Sequence, residues 1–323
     1  LDGANGIILA GDLTADGLVE LLGLVTLSGT PRTITSNSGG ITAHDDISGV
    51  SALILEAANG TVTLDTIGAG DNPTGLTVTA TTALLNDDIT VDGSVNLSGV
   101  GDTVINNDNV AIDITGGGAT DSVNIGTMVG PHNLGISADD SDVIFAGITG
   151  LTGLTINSSN TATFNGEVDI PGTITVYANN GIWQNANIES DNAILLVADN
   201  DGGNNGDFVM AGGTQLIAGT SITISGDNLT LEEVQANTTL EAGATSSIQI
   251  NGGVSAVETA KIGADEDINL ASTGSVSSQN VEMAAGDEFM MADGSSIVGL
   301  TGVKVLGTDV TVEEINSLGG GVE

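Results

Sequence analysis

Short segments in which apolar and polar residues alternate recur along most of the chain. Thr61–Leu64, Leu76–Thr79 and Ile174–Val176 each place apolar side chains at every second position. A corner of small residues, or of Asn, Asp and Gly, follows each segment, and this is the pattern of short strands joined by tight turns. Residues 247–283 give the clearest sample, because no apolar segment in them is long enough for a helix.

The spacing of these segments indicates a stack of repeated turns. Three such strands in each coil need roughly 20 to 25 residues, so the chain has room for about 13 to 16 coils. We therefore predict an all-β fold, either a parallel β-solenoid (β-helix) or a series of stacked short-strand β modules. Such a molecule offers shape and surface rather than a deep catalytic pocket.

The N-terminal segment departs from this pattern. Leu18, Leu21 and Leu22 are spaced as on one face of a helix, and Thr14 or Asp16 is a suitable N-cap. We predict a short N-terminal helix, with residues 1–23 forming a cap over the open end of the stack, since an exposed terminal strand would pair with other chains.

Three further regions follow the predicted cap. Residues 24–176 form a first β-repeat region, and residues 208–323 form a second one. Between them, residues 177–207 contain the only Tyr and the only Trp of the chain and a run rich in Asp, Asn and Gly. This composition predicts a protruding loop or a junction inserted between the two repeat regions.

The second repeat region contains a duplicated unit. Six positions correspond with an offset of 81, four of them with the same residue: Gly226, Thr230, Glu232, Glu233, Val234 and Gln235 correspond to Gly307, Thr311, Glu313, Glu314, Ile315 and Asn316. In each copy a Thr precedes a Glu by three residues, which is the capping-box pattern. The pattern predicts one turn of helix in each copy.

The C-terminal copy carries a resemblance. Residues 305–320 resemble the Gly-Thr-x-Val-Thr-Ala-x-Glu-Leu-Asn-x-Leu-x-Gly element of bacteriophage tail-fibre proteins, with Val312 and Ile315 in place of the usual Ala and Leu. The repeat region is also similar to filamentous-haemagglutinin-like surface proteins of bacteria. Both resemblances imply an extracellular, fibrous and mostly non-enzymatic protein, at a cell surface or on a virion.

Composition limits the partners. The 323 residues include 42 Asp and Glu but only three Lys and Arg, so the formal net charge is −39. Such a field repels nucleic acid and anionic lipid, and the sequence has no apolar run of membrane-spanning length. We expect no nucleic-acid partner and no membrane insertion. With 2% aromatic residues and no Cys, the core must consist of thin aliphatic layers without disulfides.

A calcium site is one interpretation of the acidic run between the repeat regions. Its oxygen-bearing side chains are those of Asp199, Asp201, Asn204 and Asp207. Calcium binds six to eight oxygens, and a Gly-rich loop allows carboxylates and amides to converge. The spacing matches neither an EF-hand nor the glycine-rich nonapeptide, so a solvated turn is the alternative and no other cofactor is expected.

The two aromatic residues of this region suggest a glycan contact. Tyr177 and Trp183 lie six residues apart across a turn-forming Asn-Asn-Gly sequence, and aromatic rings stack on sugars. The alternative is that they close one end of a stack or pack at a subunit contact.

Acidic pairs raise the question of polysaccharide cleavage, which needs two carboxylates across one groove. The pairs and triplet concerned are Asp45-Asp46, Asp87-Asp88, Asp139-Asp140 and Asp265-Glu266-Asp267. Solvated turn carboxylates are the preferred explanation of such runs, and we predict no catalytic residue. The expected function is that of a non-enzymatic extracellular subunit that assembles with copies of itself into a fibre for surface attachment. A glycan-binding adhesin module and a β-helix polysaccharide-cleaving enzyme are the alternatives.

Overall fold

The predicted parallel β-solenoid is confirmed. The computed structural model describes residues 1–3, 6–116, 118, 120–158, 160–203, 205–319 and 321–322. Within these ranges the chain is all-β, with about 15 turns and no helix. It follows that no helix in this part of the chain is able to cross a membrane. Three short strands make one turn, and strands of successive turns pair in parallel.

The chain divides into two compact units, Leu1–Asn160 and Thr161–Glu323. The strands of unit 1 are β1 Ile7–Leu9, β2 Leu13–Ala15, β3 Val19–Leu21, β4 Val25–Leu27, β5 Arg32–Ser36, β6 Ile41–Ala43, β7 Ile47–Ser48, β8 Leu53–Leu64, β9 Leu76–Leu85, β10 Ile89–Val91, β11 Val95–Ile105, β12 Val110–Ile114, β13 Ser122–Val129, β14 Asn133–Ser137, β15 Asp142–Thr149 and β16 Gly153–Ser158. Several long strands, such as β8 and β9, run round one corner and so belong to two sides.

The core of unit 1 consists of columns of aliphatic side chains. One column passes through seven successive turns and contains Val25, Ile47, Ile67, Ile89, Ile112, Ile136 and Ile156. All seven side chains are buried. Because side chains alternate across a strand, the residues directly before and after a column member in its strand face outward. Burial of each aliphatic side chain contributes roughly 1.5 to 3 kcal/mol to the stability of the fold. The columns thus take the role that large aromatic side chains have in the core of a globular domain.

The strands of unit 2 are β17 Thr161–Phe164, β18 Val168–Ile170, β19 Ile174–Ala178, β20 Gly181–Gln184, β21 Ile188–Ser190, β22 Ile194–Val197, β23 Asp207–Met210, β24 Gln215–Ala218, β25 Ile222–Gly226, β26 Leu229–Leu231, β27 Glu233–Ala236, β28 Thr239–Ala244, β29 Ile248–Ile250, β30 Gly253–Ala256, β31 Thr259–Ala264, β32 Ile268–Leu270, β33 Ser275–Ala285, β34 Glu288–Met291, β35 Ser296–Leu306, β36 Asp309–Thr311 and β37 Glu314–Ser317. Its core has the same construction. One buried column contains Ala162, Ile182, Phe208, Leu229, Ile248, Ile268 and Phe289.

The predicted N-terminal helix is wrong. Residues 14–23 lie in strands β2 and β3 and in the corners that follow them. Val19 and Leu21 alternate inward on β3, whereas Leu18 and Leu22 are exposed. Leucines spaced by three and four residues therefore reflect a strand flanked by exposed corner leucines, and residues 6–23 contain no helix.

The two predicted helical turns in the duplicated unit are also wrong. Thr230 lies in β26, and Glu233 begins β27 after a one-residue corner; Thr311 and Glu314 have the corresponding positions in β36 and β37. A capping box acts only when a helix follows. Parallel pairing with the neighbouring turns satisfies backbone groups of these strands instead.

The segment 177–207, expected to be a loop or junction, differs from the prediction. Strands β20, β21 and β22 lie within it and form a regular turn of unit 2. The longest described stretch of this segment outside the strands consists of residues 198–203 and 205–206, between β22 and β23, and we call it the excursion. The boundary between the two units precedes this segment.

Candidate functional site

The two aromatic residues project from different sides of unit 2. Tyr177 lies on β19 beside Val197, whereas Trp183 lies on β20 between Thr163 and Val209. Both side chains point outward and are partly buried. The corner at residues 179–180 separates them, so each aromatic side chain belongs to its own side of the solenoid.

The indole of Trp183 lies over a glycine of its own strand, which leaves room for the ring. Gly181 has φ +135°, a conformation that favours glycine, and a Cβ there would lie 2.8 Å from Cη2 of the indole. The same Cβ would lie 3.0 Å from the carbonyl oxygen of Asp207. The indole therefore lies against a backbone position that only glycine can occupy.

Two of the four proposed calcium ligands come together in the excursion. The backbone N–H of Gly203 donates to Oδ1 of Asp199 and to Oδ1 of Asp201, at 3.0 Å in both cases. Shared donation from one N–H brings these two carboxylates to the same side of the loop. Asn204, the third proposed ligand, lies outside the described residues.

Asp207, the fourth proposed ligand, is engaged elsewhere. Its Oδ1 accepts from the backbone N–H of Asn228 at 3.2 Å and from Nδ2 of Asn228 at 3.0 Å. These bonds tie β23 to the corner of the following turn. Across the described ranges, no group of three or more His, Cys, Asp or Glu side chains is arranged to hold a metal ion.

The base of the excursion is closed tightly. Gly206 is buried against Ala198, and a Cβ on Gly206 would lie 1.8 Å from the Ala198 carbonyl oxygen. The backbone N–H of Ala198 donates to Ser225, and that of Asn200 donates to Ala178. The excursion therefore leaves and rejoins the stack at one point, without changing the pairing of β22 with β25.

Three carboxylates lie close together on the outer side of unit 1. Burial raises the pKa of Asp113 above its usual value of 3.8, and the negative charges of Asp139 and Asp88 raise it further. Asp88 also accepts a hydrogen bond from the backbone N–H of Ala111 at 2.7 Å. The acidic-pair pattern of the sequence included Asp88 and Asp139, but Asp113 is a single acidic residue and was missed.

The raised pKa gives a signed prediction for pH. The folded protein binds this proton more tightly than the unfolded chain does, so the contribution is favourable below pH 3.8 and is lost as the pH rises through the higher folded value. Because solvent screens a carboxylate that is only partly buried, Asp113→Asn is expected to stabilise unit 1 at pH 7 by no more than ~0.5 kcal/mol. No gain is expected below pH 3.8. Thermal melts across this pH range measure the difference.

Asp102→Asn is the matched control for this substitution. Asp102 is exposed on β11 between Thr82 and Thr127, so its replacement removes the same charge without relieving a carboxylate cluster. An equal gain at pH 7 from both variants, or a loss from Asp113→Asn, would contradict the interpretation.

A row of alternating charges runs up one outward side of unit 2. The members of this charged row occupy directly adjacent positions on β28, β31, β33 and β35: Glu241, Lys261, Glu282 and Lys304. Nζ of Lys261 lies 3.3 Å from Oε1 of Glu241, and Nζ of Lys304 lies 3.4 Å from Oε1 of Glu282. All four side chains are substantially exposed, so each pair contributes little to stability.

The third basic residue, Arg32 in unit 1, differs from the two lysines. Its Nε donates to the carbonyl oxygen of Leu9 at 3.2 Å, and its Nη2 donates to the carbonyl oxygen of Ser28. The guanidinium is thus used to join two turns through the backbone. Both lysines of this strongly acidic chain therefore lie in the charged row.

Small side chains flank the charged row on both sides. On one side, Gly243 and Gly263 help to line an open groove of about 510 Å³, which Asp199 also lines. On the other, Asn280 and Gly302 help to line an open groove of about 360 Å³. The row is consequently a ridge between two shallow grooves on a flat face.

The charged row was visible in the sequence only through its spacing. Its members follow one another at separations of 20, 21 and 22 residues, close to the length of one turn. The acidic triplet Asp265-Glu266-Asp267 lies beside Lys261 in the sequence, but the carboxylate that Lys261 contacts belongs to Glu241. Its neighbours in the fold lie a full turn away.

Comparison with known proteins gives no relative: the chain matches no family model, no curated protein and no solved structure.

Proposed function

We propose that this chain is a non-enzymatic structural subunit that assembles end to end with copies of itself into a fibre. The observation that carries the proposal is the continuous parallel pairing of turns within each unit, since the same pairing can join a turn of one copy to a turn of another. Val310 continues the buried column of Ile268 and Phe289, yet it is 46% exposed while the other two are fully buried. An apolar side chain that is 46% exposed in such a column favours burial by a further strand.

The backbone of the last turn supports the same mechanism. In the described residues, β36 pairs only with β34, and β37 pairs only with β35. A strand edge that has no paired neighbour templates the addition of a further strand. The first turn of unit 1 also exposes apolar side chains, including Ile8 and Leu18.

We further propose that the fibre is extracellular. A fibre subunit that attaches at a cell surface or on a virion agrees with the tail-fibre-like element at residues 305–320. The net charge of −39 opposes association of identical chains, so screening by salt is expected to favour assembly.

Electron microscopy and sedimentation of the purified chain test this proposal. We expect fibres at high protein concentration in about 1 M salt, where the Debye length falls to ~3 Å, and fewer in low salt. Val310→Lys places a charge on β36, which is a common natural protection of strand edges, and is expected to abolish or greatly shorten the fibres.

Met290→Lys is the matched control, since it adds the same charge one turn earlier on the outward side of β34. We expect this variant to assemble like the wild type. A chain that stays monomeric at every salt and protein concentration, or fibres unaffected by Val310→Lys, would overturn the proposal.

A further inference from the structure

We propose that the face of unit 2 bearing the charged row is a lateral contact surface for a second copy of the chain, related to the first by a two-fold axis. This surface is distinct from the terminal edges and does not depend on end-to-end assembly. The argument starts from charge. Identical chains with a net charge of −39 repel one another over most of their surface.

At the charged row, two copies of the chain can attract rather than repel each other. Both lysines of the chain lie in it, alternating with two glutamates at adjacent positions along the stack. Elsewhere outward acidic residues stack directly on one another, as Asp169 does on Glu189. A second copy therefore finds complementary charge at the row and like charge in such columns.

The order of charges selects one arrangement. A two-fold axis parallel to the strands, passing between Lys261 and Glu282, places the row against itself in reverse order. Glu241 then faces Lys304 of the second copy, and Lys261 faces Glu282, so four opposite-charge contacts form. An axis along the stack would instead place each residue against its own equivalent, with four like-charge contacts. Self-complementarity of this kind is the property of an isologous interface.

The surroundings of the row permit close approach. Gly243 and Gly263 on one side, and Gly302 on the other, have no side chains to hold the second copy away. No heavy atom lies within 4 Å of the Cβ position of Gly243. The long Lys and Glu side chains thus have room to spread into the grooves while the sheets approach.

The expected association is weak. Four turns span roughly 19 Å and six residues of strand span about 20 Å, giving on the order of 400 Å² per copy. A standard interface buries about 800 Å² per partner, so this contact is of the transient size. In a fibre, where many copies lie side by side, repeated weak contacts add up through multivalency.

Two charge swaps of identical composition and net charge test the proposal. Swapping Glu241→Lys with Lys304→Glu keeps all four contacts of the two-fold arrangement but places like charges on adjacent turns of one chain. Swapping Glu241→Lys with Lys261→Glu keeps both ion pairs within the chain but places like charges across the two-fold axis. We expect the first variant to self-associate like the wild type, and the second to do so at least ~10-fold more weakly.

Sedimentation at about 0.15 M salt, where the Debye length is ~8 Å, measures the dissociation constants. Carbodiimide coupling supplies a second readout, because Glu241 and Lys304 lie three turns, about 14 Å, apart in one chain and can be joined directly only between two copies. We expect a cross-link between positions 241 and 304 in the wild type and in the first variant, each of which has one carboxylate and one amine at these positions. Equal self-association of both variants, or no Glu241–Lys304 cross-link in the wild type, would overturn the proposal. Thermal melts of both variants establish that each is folded.

Discussion

Ile125→Asp is expected to abolish the β-structure of unit 1. Ile125 is buried between Leu97 of the preceding turn and Phe145 of the following turn. A carboxylate at this position has no water and no cation to compensate its charge, so the expected cost exceeds ~4 kcal/mol. Because each turn contacts mainly its neighbours, the loss propagates through the stack. Circular dichroism and hydrogen exchange of the unit 1 amides measure it.

Asn124→Asp provides the control, since it places the same charge on the adjacent, outward-facing position of β13. We expect a change within about 0.5 kcal/mol for this variant. If both variants retained the wild-type melting temperature, the inward assignment of Ile125 would be wrong.

Phe208→Ala is expected to destabilise unit 2 by ~3 to 5 kcal/mol. Phe208 is fully buried between Ile182 and Leu229 and is one of the largest side chains in a core built mostly from aliphatic residues. Its removal leaves a cavity. The neighbouring turns cannot move in to fill this cavity, because parallel backbone pairing fixes their positions. Urea unfolding followed by circular dichroism gives the loss as a shift in midpoint.

The adjacent residue supplies the comparison. Val209 lies outward on the same strand beside Trp183 and is only partly buried. Val209→Ala is therefore expected to cost less than ~1 kcal/mol. A similar shift in midpoint for both variants would show that burial on β23 does not alternate as described.

The alternation of apolar and polar residues predicted the fold well. Most strands of this solenoid are short, and each consists of side chains that point alternately inward and outward. Val19 and Leu21 show why it failed at the N-terminus. Leu18, Leu21 and Leu22 fit the spacing of one helix face. Buried Val19 and Leu21 fit the alternation of a strand equally well, with Leu18 and Leu22 exposed. A segment of this length cannot decide between the two, and pairing with β6 of the next turn decides it.

The candidate surface was harder to predict because it depends on which residues lie one above another. Successive turns of unit 2 differ in length: the turn from Ile182 to its partner Phe208 includes the excursion and is longer than the turn from Leu229 to its partner Ile248. No single period therefore assigns vertical neighbours. The spacing of Glu241, Lys261 and Glu282 is compatible with one turn per step, and the pairing of each turn is needed to establish that they are vertical neighbours.

The offset of 81 residues between the two corresponding segments of unit 2 has a consequence for the length of the stack in this unit. Thr230 and Thr311 lie in the same outward column, separated by the four steps through Gln249, Asn269 and Met290. A duplicated segment that equals a whole number of turns leaves every face and every core column aligned. Recombination that adds or removes such a segment therefore lengthens or shortens the stack in steps of about 19 Å. The residues of the remaining turns need not change.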